Sequence, residues 1–421
     1  MARRYFGTDG VRGVVGEFLT PELVERLGRA AALWTGASKV FVGRDTRASG
    51  MELQEAFARG VVSAGGDCFI GGVLPTPAVA LAALDLGVVI SASHNPPEYN
   101  GVKFFDAHGH KLGDAAEEQI EELLAAAPGI DLGRIEHVEI ATDSYLDHIL
   151  ERFGTDLTGL RIVVDCANGA YSGLAPHAFE RCGAEVHAIG DAPDGNNINV
   201  GCGATDMAQL QQVVRDGSYD LGIAFDGDGD RMLAVDEQGE AIDGDQIVAI
   251  LALDQNVEQV AVTVMTNLGF HALMREHGIT VHTTAVGDRY VLEALQREGA
   301  VLGGEQSGHI IWLRDHVTGD GLASGLLLCA ALKGRKLSEA AAVMPRWPQA
   351  KENVKVADRE LTPAIRAEVE RVNDEWGGEG RILVRPSGTE PLIRVLAEAE
   401  NAQVAEDACA SIAALVRREL G

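Results

Sequence analysis

The chain has 421 residues, 46% hydrophobic and 23% charged, with 35 Lys and Arg against 63 Asp and Glu and a net charge of −28. This length exceeds one ordinary core and the composition is globular, so several folded domains are expected. The charge argues against nucleic-acid or anionic-membrane partners, whose phosphates are repelled at long range, but a few local cations can still hold a small phosphorylated ligand.

Six cysteines are scattered without a CxxC pair, which predicts reduced thiols and neither a zinc site nor a disulfide framework. The N-terminus has no apolar signal-like run, and no apolar stretch reaches transmembrane length. A soluble, cytoplasmic protein is expected.

The first notable stretch is FGTDGVRG, Phe6–Gly13, in which Arg12 stands between small residues and can reach a site. From Ser38 runs SKVFVGRDTRASGMELQEAFARGVVSAGGDCFIGG: a β-branched run, a polar loop, a helical pattern, a Gly turn and a second β-branched run. This is a βαβ unit. Its GRDTR loop, Gly43–Arg47, is a further Gly/Arg loop, for which a solvated turn is the plain alternative. The next strand signal, Leu86–Ile90, breaks into Ser91-Ala92-Ser93-His94-Asn95-Pro96. Two serines stand where a buried strand leaves the core, and the nearest His is a chain neighbour.

The same plan recurs from Gly159, where the extra strand LGIAF opens into Asp226-Gly227-Asp228-Gly229-Asp230-Arg231. Three carboxylates at i, i+2 and i+4, with glycines between them, can converge on one ion. Oxygen ligands favour Mg²⁺ or Ca²⁺. An EF-hand does not fit, because Arg231 holds the position that needs Gly and both flanks are strand-like. The alternative is a plain acidic turn.

A third unit starts at Val257 and ends in Gly303-Gly304-Glu305-Gln306-Ser307-Gly308-His309. Glu305 and Ser307 can bond sugar hydroxyls, and His309 can move protons near neutral pH. The loop is not a GxSxG elbow, since Glu305 stands where Gly is required. Three repeated units predict parallel strands with helices on the faces and ligand loops at the strands' carboxyl ends. From Arg346 the composition shifts to a smaller α+β domain. Its Arg385-Pro386-Ser387-Gly388-Thr389-Glu390-Pro391 stretch, with Arg394, can cradle a phosphate or simply turn a hairpin. The expected domains are 1–145, 146–242, 243–345 and 346–421. Neither a Walker A nor a GxGxxG motif supports ATP or a dinucleotide.

Together, SASHNP, DGDGDR, GEQSGH and RPSGTEP, in that order and one per domain, resemble the α-D-phosphohexomutase superfamily over essentially the whole chain. FGTDGVRG, VVDCANGA, VMTNLG, AVGDRYV and TGDGL are similar to the branch that interconverts glucosamine 6-phosphate and glucosamine 1-phosphate, while CGATD departs from the CGSTH-like text expected there. The resemblance implies a heart-shaped α/β protein: three similar domains with mixed, mainly parallel sheets plus a C-terminal α+β domain, around a central cleft. It implies that Ser93 is a phosphoserine that binds Mg²⁺ together with Asp226, Asp228 and Asp230. Lys103 and His309 are then the acid/base candidates, His94 supports the phosphate, and Arg12 and Arg231 stabilise the transferring phosphoryl. Glu305, Ser307, Asp288 and Arg289 would face the sugar. Arg385, Ser387, Gly388, Thr389 and Arg394 would hold the other phosphate. A glucosamine 1,6-bisphosphate intermediate and a homodimer are also implied. The rival readings are a phosphomannomutase/phosphoglucomutase, a Mg²⁺-dependent sugar-phosphate phosphatase and a non-catalytic binder.

Overall fold

The computed structural model of the chain describes residues 4–7, 9–36, 39–129, 132–138, 141–387 and 391–421. The chain divides into two compact units, one of Met1–Met265 with Ile279–Val343 and the other of Thr266–Gly278 with Met344–Gly421. Among the described residues, no helix is long and apolar enough to cross a membrane. All six cysteines are free thiols.

The first unit holds three sheets built to one plan. In each, three parallel strands are followed by an antiparallel one. In the first sheet, Asp67–Val73, Lys39–Arg44 and Leu86–Ile90 lie parallel and Tyr99–Asp106 runs back beside Leu86–Ile90. In the second, Glu185–Ile189, Arg161–Asp165 and Leu221–Phe225 are answered by Met232–Asp236. In the third, Thr280–Thr284, Gln259–Thr263 and Leu302–Gly304 are answered by Ile310–Trp312. Mixed, mainly parallel sheets are thus present as expected. The reversal after the third parallel strand is where each chemical loop sits: 91–98, 226–231 and 305–309.

Local sequence explains the elements. Leu86–Ile90 and Leu221–Phe225 are buried at every position, as strands covered on both faces must be. Helices Pro21–Thr35 and Gly50–Ser63 cross at two glycines. A Cβ on Gly28 would come 2.2 Å from the Phe57 carbonyl oxygen, and one on Gly60 would come 2.0 Å from that of Glu25. Helix Gly244–Asp254 starts at a capping box between Asp243 and Gln246. Helix Gly321–Leu332 is apolar almost all round and correspondingly buried, and Asp320 caps it.

The second unit is a three-stranded antiparallel sheet, ordered Gln349–Lys355, Leu392–Ala399, Gly380–Pro386, with helices Pro363–Trp376 and Ala402–Leu420. The expected hairpin is present. Helix Leu268–Glu276, the crossover of the third repeat, belongs to this unit: the Leu268 N–H donates to Glu398 Oε1 at 2.8 Å, and Asn267 Nδ2 to the Trp347 carbonyl at 3.0 Å. Sequence spacing pairs this helix with its own strands; its polar N-terminus instead finds its partners in the C-terminal segment.

Candidate active site

Ser93 leaves the core in an unusual backbone state. Its φ is 52°, which costs a non-glycine residue about 1–2 kcal/mol. The surroundings hold it there. Ser91 Oγ accepts the Ser93 N–H at 2.9 Å and donates to Asp45 Oδ2 at 2.6 Å. Arg47, 1% exposed, pairs with Asp45 at 2.9 Å. Its two terminal nitrogens donate to the carbonyls of Ser93, Asn95, Pro96 and Tyr99. Asn199 adds bonds to the Ser93 and Asn95 carbonyls at 2.9 and 3.1 Å. The GRDTR loop is therefore a buried clamp on the serine loop and not the alternative solvated turn, because the Asp45 and Arg47 charges satisfy each other and the serine loop's carbonyls. Arg47→Lys keeps the charge and loses the fork, so kcat should fall about 100-fold with KM little changed, read by steady-state kinetics.

The aspartate loop meets the serine loop directly. Ser93 Oγ donates to Asp226 Oδ2 at 2.5 Å across 133 residues of sequence. Every carbonyl from Asp226 to Gly229 is taken. Gly229 N–H closes on Asp226 at 3.1 Å, Ala170 N–H on Gly227 at 2.9 Å, Thr76 N–H on Asp228 at 2.8 Å and Gly321 N–H on Gly229 at 3.0 Å. A Cβ on Gly227 would lie 2.7 Å from the Ser93 carbonyl oxygen, so the glycine lets the two loops touch. Oxygens of Asp226, Asp228 and Asp230 lie within 4.8 Å of one another, and all three residues are buried. Asp228 Oδ1 and Asp230 Oδ1 are buried without a hydrogen-bond partner. A compact all-oxygen donor set with unsatisfied atoms fits a hard divalent cation such as Mg²⁺. Burial, then Asp230 and Asp228, push Asp226 up to about 8. Asp230 stays well below the usual carboxylate range, because Lys103 and His309 outweigh its burial.

Around the triad lies a chain of alternating charge. Lys103 Nζ, 1% exposed, is 2.6 Å from Asp228, 3.1 Å from Asp230 and 3.4 Å from Asp9. Burial opposes its charge, but these carboxylates outweigh burial and raise its pKa. Lys111 joins Asp9, at 2.9 Å, to Asp288. His309 lies between Asp230, 3.6 Å from Nδ1, and Asp288, 3.5 Å from Nε2. Burial opposes its protonation, yet Asp288 and Asp230 raise its pKa. The ring fits because residue 319 is glycine, whose Cβ would fall 2.2 Å from His309 Nε2.

His94 Nδ1 is 3.3 Å from Ser93 Oγ; burial, with Arg231 and Arg12, lowers it to about 4, so it is neutral at pH 7. Arg231 Nε is 3.8 Å from Asp230, and Arg12 pairs with Asp9. Glu305 Oε1 accepts the Gly287 N–H at 3.0 Å, and Ser307 Oγ reaches Glu305 Oε2 at 3.5 Å.

The structure thus brings together Ser93, His94, Lys103, Arg12, Arg231, His309, Asp288 and the triad, while Glu305 bonds to Gly287, next to Asp288. Arg289 points elsewhere. Its guanidinium, in a residue 6% exposed, pairs with Asp114 and, at 2.9 Å, with Glu117. Asp288 and Arg289 open a helix, where adjacent residues diverge by about 100°. In the second unit, Arg385 and Arg394 are register partners on adjacent strands, and Ser387 follows them at the hairpin end. Gly388 and Thr389 lie outside the described residues. Asp9, Lys111, Asp45, Arg47, Thr76 and Asn199 went unassigned from sequence. Asp9, Asp45 and Arg47 stand inside loops conspicuous for Gly and charge, whereas Lys111, Thr76 and Asn199 carry no local signal.

Family models of the phosphoglucomutase/phosphomannomutase type match throughout: alpha/beta/alpha domain I at residues 3–128, domain II at 143–239, domain III at 243–347 and the C-terminal domain at 352–415. The chain is 49% identical to a phosphoglucosamine mutase of Moorella thermoacetica, covering 97% of this chain and 98% of that one. Its fold is similar to that of a phosphoglucomutase/phosphomannomutase family protein from Burkholderia thailandensis, with TM-score 0.81, 25% identity and 97% coverage of each chain. It is also similar, with TM-score 0.72 and 19% identity over 99% of this chain and 96% of the other, to Aspergillus fumigatus N-acetylphosphoglucosamine mutase, solved with GlcNAc-6P and magnesium. With the serine, aspartate and histidine loops converging as described, the chain belongs to the phosphoglucomutase/phosphomannomutase family of phosphosugar mutases, in its phosphoglucosamine mutase branch.

Proposed function

We propose that the chain interconverts glucosamine 6-phosphate and glucosamine 1-phosphate through a phosphorylated Ser93 and glucosamine 1,6-bisphosphate. The observation that carries this reading is the Ser93 hydroxyl bonded at 2.5 Å to a buried three-aspartate cluster. Asp226, Asp228 and Asp230 would hold Mg²⁺, which would supply positive charge against the phosphoryl oxygens.

Phosphoserine 93 loses its phosphoryl to the free sugar hydroxyl: the P–Oγ bond breaks, the new P–O bond forms, and the hydroxyl proton passes to a base. The bisphosphate then turns, and its other phosphoryl returns to Ser93 Oγ. Lys103 and His309 are the acid/base pair: the carboxylates around them keep both protonated at rest, so one gives its proton to the oxygen that loses the phosphoryl while the other sheds its own before it serves as base. Arg12 and Arg231 bring guanidinium charge to the moving phosphoryl. Glu305 and Ser307 hold sugar hydroxyls. Arg385, Ser387 and Arg394 hold the phosphate that is not reacting. Support for this comes from the register of the two strands, which sets Arg385 directly opposite Arg394 with Ser387 just beyond, so that two guanidinium side chains and a hydroxyl stand at one end of the hairpin.

Turnover of glucosamine, glucose and mannose phosphates by the same preparation tests the assignment. Glucosamine 6-phosphate is expected to have the highest kcat/KM. A preference for mannose 1-phosphate overturns it, and steady release of inorganic phosphate without isomerisation favours a phosphatase instead.

A further inference from the structure

Asp320, in the TGDGL stretch, takes no part in the reaction above, yet it is 2% exposed and surrounded by donors. Its Oδ1 accepts from the Tyr171 hydroxyl at 2.8 Å and the Ala323 N–H at 3.0 Å, and its Oδ2 accepts from the Tyr145 hydroxyl at 2.8 Å. His316 Nε2 is 2.9 Å from Oδ2, and the two tyrosine oxygens are 2.6 Å apart. These groups come from separate stretches of chain: Tyr145 from helix Ala141–Phe153, Tyr171 from the loop after strand Arg161–Asp165, and Asp320 from the cap of helix Gly321–Leu332.

The cluster lies against the back of the aspartate loop. Gly229 has φ +75°, and a Cβ there would fall 2.4 Å from the Tyr171 ring. The same ring packs 4.7 Å, centroid to centroid, from Phe225, the residue before Asp226. Gly321, next to Asp320, donates its N–H to the Gly229 carbonyl at 3.0 Å. The peptide between Asp228 and Asp230 is therefore pressed by Tyr171 and tied to the chain beside Asp320. A buried carboxylate with two phenols and an imidazole loses much solvation, and an apolar cluster would fill such a core as stably. What a hydrogen-bonded cluster adds is a fixed position, because each hydroxyl is held between an Asp320 oxygen and the other tyrosine's oxygen.

We propose that Tyr145, Tyr171 and Asp320 are positioning residues for the cation site: their hydrogen-bonded cluster fixes Gly229, and through it the spacing of the Asp228 and Asp230 carboxylates. This rests on reading Asp226, Asp228 and Asp230 as a cation site.

Full-length Tyr171→Phe and Tyr145→Phe proteins test it, with Mn²⁺ binding measured by electron paramagnetic resonance without sugar, alongside melting temperature, kcat and KM. Tyr171→Phe is expected to weaken Mn²⁺ binding roughly tenfold, the lower end for groups that support metal ligands. The KM for glucosamine 6-phosphate stays unchanged, and excess Mg²⁺ restores turnover. Tyr145→Phe shifts Mn²⁺ binding the same way by a smaller factor. It carries the test alone if Tyr171→Phe does not fold. A lowered melting temperature with Mn²⁺ affinity within about twofold of the unsubstituted protein overturns the proposal and makes the cluster ordinary core. If the unsubstituted protein binds no Mn²⁺, the cation site falls and the proposal with it; if it binds Mn²⁺ and both variants bind equally well, the positioning role alone is overturned.

Discussion

Ser93→Ala protein should fold and bind Mg²⁺ yet lose turnover of glucosamine 6-phosphate by roughly 10⁴-fold or more, because phosphate-monoester cleavage is among the slowest uncatalysed reactions and the transfer has no other acceptor. The substitution is small. Ser and Ala pay the same cost at φ 52°, and the lost bond to Asp226 is worth about 1 kcal/mol. A melting temperature close to that of the unsubstituted protein therefore separates lost chemistry from lost folding. The same reasoning selects the serine. Both serines are buried, Ser91 at 0% and Ser93 at 1%, so burial does not choose between them; Ser91 donates to Asp45 and accepts from the Ser93 N–H, and phosphorylating it would break the clamp. Intact mass and peptide mapping should place one phosphate on Ser93; a phosphate on Ser91, or turnover surviving in Ser93→Ala, sinks the assignment.

Chelation with EDTA should abolish turnover, and Mg²⁺ should restore it. The stability effect is as diagnostic as the activity. Burial and mutual repulsion oppose ionising all three acids together, so the metal-free protein keeps a proton on Asp226 below about pH 8, at a cost to stability that a bound cation removes. Mg²⁺ at 100 times its Kd adds about 2.7 kcal/mol. Asp226→Asn should accordingly melt higher than the unsubstituted protein without metal, while losing most activity with it. The sign of the pH effect follows from Asp226, which burial and its two neighbours raise to about 8 from an unfolded value near 4. An acid raised on folding contributes its stabilisation below the unfolded pKa and loses it as pH climbs through the folded one. Without metal, the melting temperature should fall between about pH 4 and pH 8 from this group, and Asp226→Asn should flatten that slope. An unchanged slope in Asp226→Asn, or no melting shift with Mg²⁺, would count against the cation site.

Much of this was legible in the sequence, and the reason is topological. A βαβ repeat with one extra reversing strand puts its ligand loop at the same end of each sheet, so three loops recognised separately could be expected to share a purpose. Composition also told truly: carboxylates spaced by glycine in DGDGDR do converge. Side-chain direction was not legible. Asp288 and Arg289 are neighbours in the sequence, yet one meets His309 and Lys111 while the other meets Glu117. Partners far along the chain were also hidden. Arg47 reaches Ser93 across 46 residues and Thr76 reaches Asp228 across 152, distances at which spacing rules say nothing. Helix Leu268–Glu276 shows the same limit, since periodicity predicts the helix but not the unit that receives it.

The carbonyls of Gly227, Asp228 and Gly229 are closed by N–H groups from Ala170, Thr76 and Gly321. This fixes an order of events during synthesis. A nascent chain that has emerged through the aspartate loop still lacks Gly321, some 90 residues downstream and many seconds later at ordinary elongation rates. Until then the Gly229 carbonyl has no backbone partner and the loop is one tie short. A fragment ending before Gly321 therefore lacks one of the three backbone ties that close the aspartate loop.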